Sequence, residues 1–191
     1  MRPGFAIVVL WVGMALSWIA AAMWQSATLK RAGGRAELRY RIVLIVGGLL
    51  FAVPARRSSA PFRLWHVTWI QVWICVAVIL LGFAFTWWGR ARLGPLWSGT
   101  ITTKADHRVI DTGPYRIVRH PIYTGILLAV FATAAAKGTV LGLVGALLIT
   151  TGLWMKARLE ERWLSEQLGP DAYESYRRRV PMLLPFGPKS G

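Results

Sequence analysis

Apolar runs of bilayer length, separated by short blocks of Arg and Lys, constrain this 191-residue chain more than any other feature. A helix needs about 20 apolar residues to cross a hydrocarbon core of about 30 Å. Gly4–Trp24 and Val67–Trp88 meet that length. Ile42–Val53 is weaker, since at 1.5 Å per residue it reaches only about 18 Å. It crosses if Leu38–Ala55 is helical and Arg39, Arg41 and Arg56 stretch to the interfaces. Ile122–Ala136 and Thr139–Trp154 are two shorter runs joined by Lys137-Gly138, a junction that suits a tight helical hairpin. Gly138 and Gly142 form a GxxxG, and Gly145, Ala132 and Ala136 add small residues that let helices approach. Trp65, Trp69 and Trp73 share one face of the third run at helical spacing, as an interfacial belt does. The expected fold is an all-α integral membrane protein with about five transmembrane helices in one structural domain. Residues 1–88 supply the first three, and residues 89–191 supply a polar loop, the last two and a cytoplasmic helical tail.

Composition agrees. Only 16% of residues are charged, against about 25% in soluble domains. A net charge of +15 would suggest nucleic acid in a soluble protein. Here the basic residues sit between apolar runs and act as topology signals and contacts for anionic lipid headgroups, so no nucleic-acid partner is expected. A signal peptide is the alternative for Gly4–Trp24. That run is longer than the usual signal core, and its basic flank, Lys30, Arg31, Arg35, Arg39 and Arg41, follows it. The asymmetry puts the N-terminus outside and the C-terminus in the cytoplasm. Five spans in that orientation place eighteen of the 23 Lys and Arg inside and five outside. Cys75 is the single cysteine and lies within a span, so neither a disulfide nor a cysteine metal site is available.

One stretch does not fit a lipid-facing role. His107–Gly125, HRVIDTGPYRIVRHPIYTG, is polar and aromatic, then opens directly into the fourth run. The tail is its counterpart. Met155–Leu168 continues the fifth helix past the apolar run and carries Glu160 and Glu161. Gly169-Pro170 stops it. A short second helix follows over Asp171–Arg179, with Tyr173 and Tyr176 on one face, and Met182–Phe186 is apolar enough to touch the bilayer again. With five spans, loop and tail share the cytoplasmic face and can build one site.

Together these segments resemble the isoprenylcysteine carboxyl methyltransferase family of integral membrane enzymes. The matching residues are His107, Gly113-Pro114-Tyr115, Arg119-His120-Pro121, Tyr123 and Gly125, then Glu160-Glu161, Leu164, Gly169, Tyr173, Tyr176, Val180-Pro181 and Pro185. They span roughly residues 95–187; the first three runs match only as hydrophobic segments. The resemblance implies S-adenosylmethionine as cosubstrate and S-adenosylhomocysteine as product, with contacts on His107, Val109, Ile110, Tyr115, His120, Tyr123 and Glu160.

Residue chemistry is compatible with this. Tyr115 and Tyr123 offer aromatic faces to an adenine or a cation. Glu160 can accept hydrogen bonds from a ribose or an ammonium, backbone groups near Val109-Ile110 can read an adenine edge, and Arg119 could serve a carboxylate. Pro121 suits the first turn of a helix, whose free N–H groups favour an anion.

The same resemblance places the acceptor-side cation, usually Arg, at Lys156. Arg158 lies about 200° further round the helix and is no equivalent replacement. A prenylcysteine-like carboxylate is the first expectation for a lipophilic acceptor, since an ionised nucleophile needs no base. An amine or thiol would need one, and His107 and His120 are the evident bases. A membrane lipid reductase using NADPH is a further alternative. With no HExxH, no Cys/His cluster and no phosphate loop, no metal is expected. The compact plan suits a prokaryotic inner membrane, with the site on its cytoplasmic face.

Overall fold

The computed structural model describes residues 3–24, 28–31, 34–54, 62–98, 102–104, 109–168 and 170–188. Among these, six α-helices follow the expected order: α1 Pro3–Ala22, α2 Gly34–Ala52, α3 Trp69–Leu93, α4 Pro121–Lys137, α5 Val140–Leu168 and α6 Pro170–Arg179. Three of the described helices, α1, α3 and α5, are long and apolar enough to cross a membrane. The shorter α4 packs along α3, and the less apolar α2 along α5. Two short strands, β1 Thr28–Arg31 and β2 Thr102–Lys104, pair antiparallel. They tie the connection after α1 to the connection after α3.

Both major helix pairs close through glycine. A β-carbon on Gly82 of α3 would fall 2.6 Å from the Gly125 carbonyl oxygen of α4, and one on Gly125 would strike Gly82 and Thr86 in return. The two backbones touch, and Thr86 Oγ1 donates to the carbonyls of Gly82 at 3.0 Å and Ile122 at 3.3 Å. Between α2 and α5, a β-carbon on Gly145 would lie 2.6 Å from the Phe51 nitrogen and 2.8 Å from the Gly47 oxygen. Without a hydrophobic drive between lipid-immersed helices, such close packing and interhelical hydrogen bonds carry the association. Trp11 of α1 adds one: its Nε1 donates to Thr133 Oγ1 at 3.0 Å, while its ring stands edge-on to Phe83 and Phe51.

Two expectations change here. Gly138 and Gly142 do not form a helix-packing motif. Gly138 is the left-handed C-cap of α4 (φ 60°), and Gly142 donates its N–H to Thr139 Oγ1. Each helix of the expected hairpin packs mainly against another helix, α4 on α3 and α5 on α2. Trp65 also leaves the Trp69–Trp73 face, because Thr68 caps α3. The Trp65 indole instead donates to the Ala135 carbonyl at 2.9 Å, and Lys137 donates to the Phe51 carbonyl. These contacts lock the end of the bundle away from the polar loop.

At the loop end, Arg90 has no exposed surface. It donates to the carbonyls of Gly94 (2.6 Å), Ala21 (2.8 Å) and Trp24 (2.8 Å). Its guanidinium lies over the rings of Trp24 and Trp97. The terminal nitrogens and the π-face of this deep charge are thus engaged, although its buried Nε has no hydrogen-bond partner among the described residues. Arg90 thereby fixes where α1 and α3 leave the bundle, beside the segment that builds the site.

Candidate active site

The sequence Arg119-His120-Pro121 turns the polar loop into α4. Pro121 is the first helical residue and is fully buried. The N–H groups of Arg119 and His120 donate to the carbonyls of Pro181 (2.9 Å) and Met182 (3.1 Å). Thr124 Oγ1 donates to the Leu183 carbonyl at 2.6 Å. The tail after α6 therefore lies along the start of α4, and donors just ahead of this helix, where an anion was expected, serve the tail.

Arg119 is the centre of that junction. Its side chain is 1% exposed. Nε donates to Glu161 Oε1 at 2.7 Å and Nη2 to Glu161 Oε2 at 3.2 Å. Nη1 donates to the carbonyls of Arg177 (2.9 Å) and Val180 (2.6 Å), which closes the end of α6. The planar guanidinium suits this two-pronged pairing. The sequence suggested a ligand carboxylate for Arg119, whereas the structure gives its fork to Glu161 and to α6.

His120 lies between two carboxylates, Nε2 3.1 Å from Glu161 Oε1 and Nδ1 3.6 Å from Glu160 Oε2. Its ring stacks on Tyr123, with centroids 5.3 Å apart and planes 3° from parallel. Tyr123 donates its hydroxyl to both oxygens of Glu160, at 2.7 and 2.8 Å. Lys156, one turn before Glu160, stands 3.7 Å from Glu160 Oε1 and 5.4 Å over the Tyr123 ring. Glu160 thus gathers a phenol, an ammonium and an imidazole while keeping 19% of its side chain exposed.

The remaining expected residues divide. Tyr115 is buried in the turn Gly113–Arg116, and its hydroxyl points to the Gly89 carbonyl at 3.4 Å. Tyr176 of α6 donates to the Tyr115 carbonyl at 2.8 Å. Val109 packs against Tyr173, Tyr176 and Val180, and Ile110 is half-buried beside it. Burial pushes the phenols of Tyr115, Tyr173 and Tyr176 well above the ordinary tyrosine range, so all three remain neutral donors. His107 lies outside the described residues.

Arg158 is not brought to Lys156. It is exposed and stacks on Trp154 at 5.1 Å. There it lines a groove of about 1270 Å³ between α4, α5 and the 181–188 tail, in which Leu127, Phe131 and Met182 supply apolar surface. Of the polar cluster, Arg119 and Glu161 reach this groove; His120, Tyr123, Lys156 and Glu160 do not line it.

Sequence reasoning undervalued three groups. Glu161 was given no role of its own, and Arg119 was assigned to a ligand carboxylate. In a chain with only eight Asp and Glu, a buried Arg beside two carboxylates was the available signal. Glu37 and Tyr40 of α2 were not singled out, yet they are 6% and 3% exposed.

A stacked His–Tyr pair, an accessible glutamate holding a tyrosine hydroxyl and a nearby lysine form a polar cluster at the mouth of an apolar bundle. A sequence model described as phospholipid methyltransferase matches residues 70–171, just over half of the chain, from α3 into α6. The chain belongs to this family of membrane methyltransferases, which use S-adenosylmethionine. It is similar to methanethiol S-methyltransferase 2 of Bradyrhizobium diazoefficiens, 31% identical over 158 residues, 77% of this chain and 59% of the relative. The methanethiol S-methyltransferase of Pseudomonas deceptionensis is 45% identical over 71 residues, 37% of this chain and 26% of the relative. The protein-S-isoprenylcysteine O-methyltransferase of Schizosaccharomyces pombe is 34% identical over 87 residues, 44% of this chain and 35% of the relative. The matches thus cover less than two thirds of each relative's own length.

Proposed function

We propose that this protein transfers the methyl group of S-adenosylmethionine to a small lipophilic thiol at the membrane interface. The observation that carries the choice of acceptor is the state of Lys156. A carboxylate acceptor requires a cation to steer it, and Lys156 already faces Glu160 and the Tyr123 ring. Adding a second carboxylate there sets two like charges against one ammonium. A thiol enters uncharged and meets that penalty only once it has given up its proton. The relatives named for methanethiol support the same reading. Carboxyl methylation, the first expectation from the sequence, has the Schizosaccharomyces pombe relative on its side. The NADPH-dependent reductase gains no support from the family.

The donor set fits S-adenosylmethionine. Tyr115 and Tyr123 provide aromatic surface, Glu160 an accessible carboxylate for an ammonium or ribose, and Val109 and Ile110 a half-buried wall with backbone polar groups. When bound, the cosubstrate supplies a methyl group activated by a sulfonium. The protein has to align the acceptor and exclude water. A thiol must also lose its proton. His120, with Nε2 3.1 Å from Glu161 and Nδ1 3.6 Å from Glu160, is the base assigned to take it. Arg119 acts as a positioning residue that holds Glu161 and α6 against His120.

The deciding assay uses purified protein, labelled S-adenosylmethionine, a short alkanethiol and a prenylcysteine carboxylate analogue. The thiol is expected to be methylated with the higher kcat/KM. Preference for the carboxylate would overturn the acceptor assignment.

This reading also requires the site on the cytoplasmic face, with five crossings and the N-terminus outside. The β1–β2 pairing, which keeps the first and third connections together, supports it. In a Cys75→Ala background, single cysteines placed near residues 30, 105 and 191 should react only from the cytoplasmic side, and those near 60 and 137 only from outside. Residues 105 and 191 on opposite faces would sink the arrangement.

A further inference from the structure

The matched family segment begins at residue 70, so α2 lies outside it. The inward stripe of α2 recurs at alternating steps of three and four: buried Glu37, Tyr40 and Gly47 with half-buried Leu44 and Phe51. That is the seam spacing of helices packed side by side. Its lower half behaves as expected. Phe51 abuts Gly145, Gly47 abuts Leu148, and Leu44 abuts Gly152. The seven residues from Phe51 back to Leu44 along α2 match the seven from Gly145 forward to Gly152 along α5. Extended by the same count, the register sets Tyr40 level with Lys156 and Glu37 level with Leu159-Glu160.

The two seam positions at that level are polar, although leucine would pack α2 on α5 without desolvating a carboxylate. A buried ionisable residue inside a membrane bundle is costly and points to function. Glu37 is 6% exposed and pairs with Arg41 one turn on. Tyr40 is 3% exposed, and its phenol lies within electrostatic reach of Glu160 and Tyr123 as well as of its own neighbours Glu37 and Arg41. The facing groups are thus Lys156 and Glu160 from α5, Tyr123 from α4, and Glu37 and Arg41 from α2.

We propose that the first turns of α2 form the acceptor-side wall of the active site, with Tyr40 as a specificity-determining residue. Tyr40 stands level with Lys156, the acceptor-side position, whereas the residues assigned to the donor come from the loop, α4 and Glu160. The phenol ring gives the acceptor's hydrocarbon an apolar surface, and its hydroxyl is a donor beside the reacting sulfur. Glu37 pairs with Arg41, so the two charged groups flanking Tyr40 offset each other, which suits a neutral lipophilic thiol. This inference rests on the proposed thiol methylation.

The test compares wild type, Tyr40→Phe and Tyr40→Ala in three measurements: the melting shift caused by S-adenosylhomocysteine, and kcat/KM for ethanethiol and for octanethiol. Tyr40→Ala is expected to keep the melting shift while changing the ratio of the two kcat/KM values about tenfold, mainly through KM, as pocket reshaping does. Tyr40→Phe should keep the wild-type ratio and lower both rates. A ratio unchanged in Tyr40→Ala overturns the proposal, and so does loss of the melting shift in step with activity. If wild type methylates neither thiol, the functional reading falls by itself. Prenylcysteine carboxylates with short and long tails then replace the thiols, and the same ratio decides the role of α2.

Discussion

Arg119→Ala is expected to be the most damaging single substitution in this protein, lowering its unfolding free energy by about 3–5 kcal/mol. The cost follows from what stays behind. Glu161, whose side chain is 7% exposed, would lose both guanidinium bonds and remain a buried carboxylate. The Arg177 and Val180 carbonyls would lose their donor as well. His120 and Arg177 still face Glu161, which places the loss within that range and not above it. Arg119→Lys should recover only part, because one ammonium cannot reproduce a fork to Glu161 together with two carbonyl contacts. Thermal unfolding of the detergent-solubilised protein measures it. Wild-type melting of Arg119→Ala would show that the clasp contributes nothing to stability.

Glu160→Gln is expected to act on binding instead. The substitution keeps the shape and removes the charge that attracts Lys156 and any cationic part of the cosubstrate. Losing hydrogen bonds to a charged group costs about 1.5–3 kcal/mol, roughly 10- to 150-fold in Kd for S-adenosylhomocysteine. Melting temperature without ligand should hardly change, since Glu160 is partly exposed and Tyr123 can still donate to an amide oxygen. Calorimetric titration of both proteins gives the answer. Equal affinity would make Glu160 a structural partner of Tyr123 and nothing more. The two substitutions thus separate adjacent carboxylates, Glu161 holding the site together and Glu160 serving its ligand.

The helices were legible because apolar runs in a lipid protein have one purpose; most ends fall close to those of the runs, but α2 starts at Gly34, eight residues before its run. The loop–tail partnership was legible too, through Arg119-His120 and Glu160-Glu161 as the polar islands of an apolar chain. Packing was not. Gly138-Gly142 and Gly47 with Gly145 look equivalent in sequence, yet Gly138 ends a helix while Gly47 and Gly145 let two backbones meet. That difference depends on which helices are neighbours, which spacing within one run does not encode. The start of α2 was obscured for a related reason. Arg35, Glu37, Arg39 and Arg41 read as an interfacial flank, and only the register against Gly145 and Gly152 shows that Glu37 and Tyr40 face inward. The divergence of Arg158 from Lys156 was legible, since two residues of helix turn it about 200° away, and in the structure it lies over Trp154.

The hydrogen bonds from Arg119 and His120 to Pro181 and Met182 bear on biosynthesis. Domains fold as they leave the ribosome, earlier segments first. Here a segment midway along the chain waits for partners made some sixty residues later. A chain synthesised only through α5 still lacks the carbonyls that Arg119 and His120 meet, so the junction of loop, α4 and tail closes last.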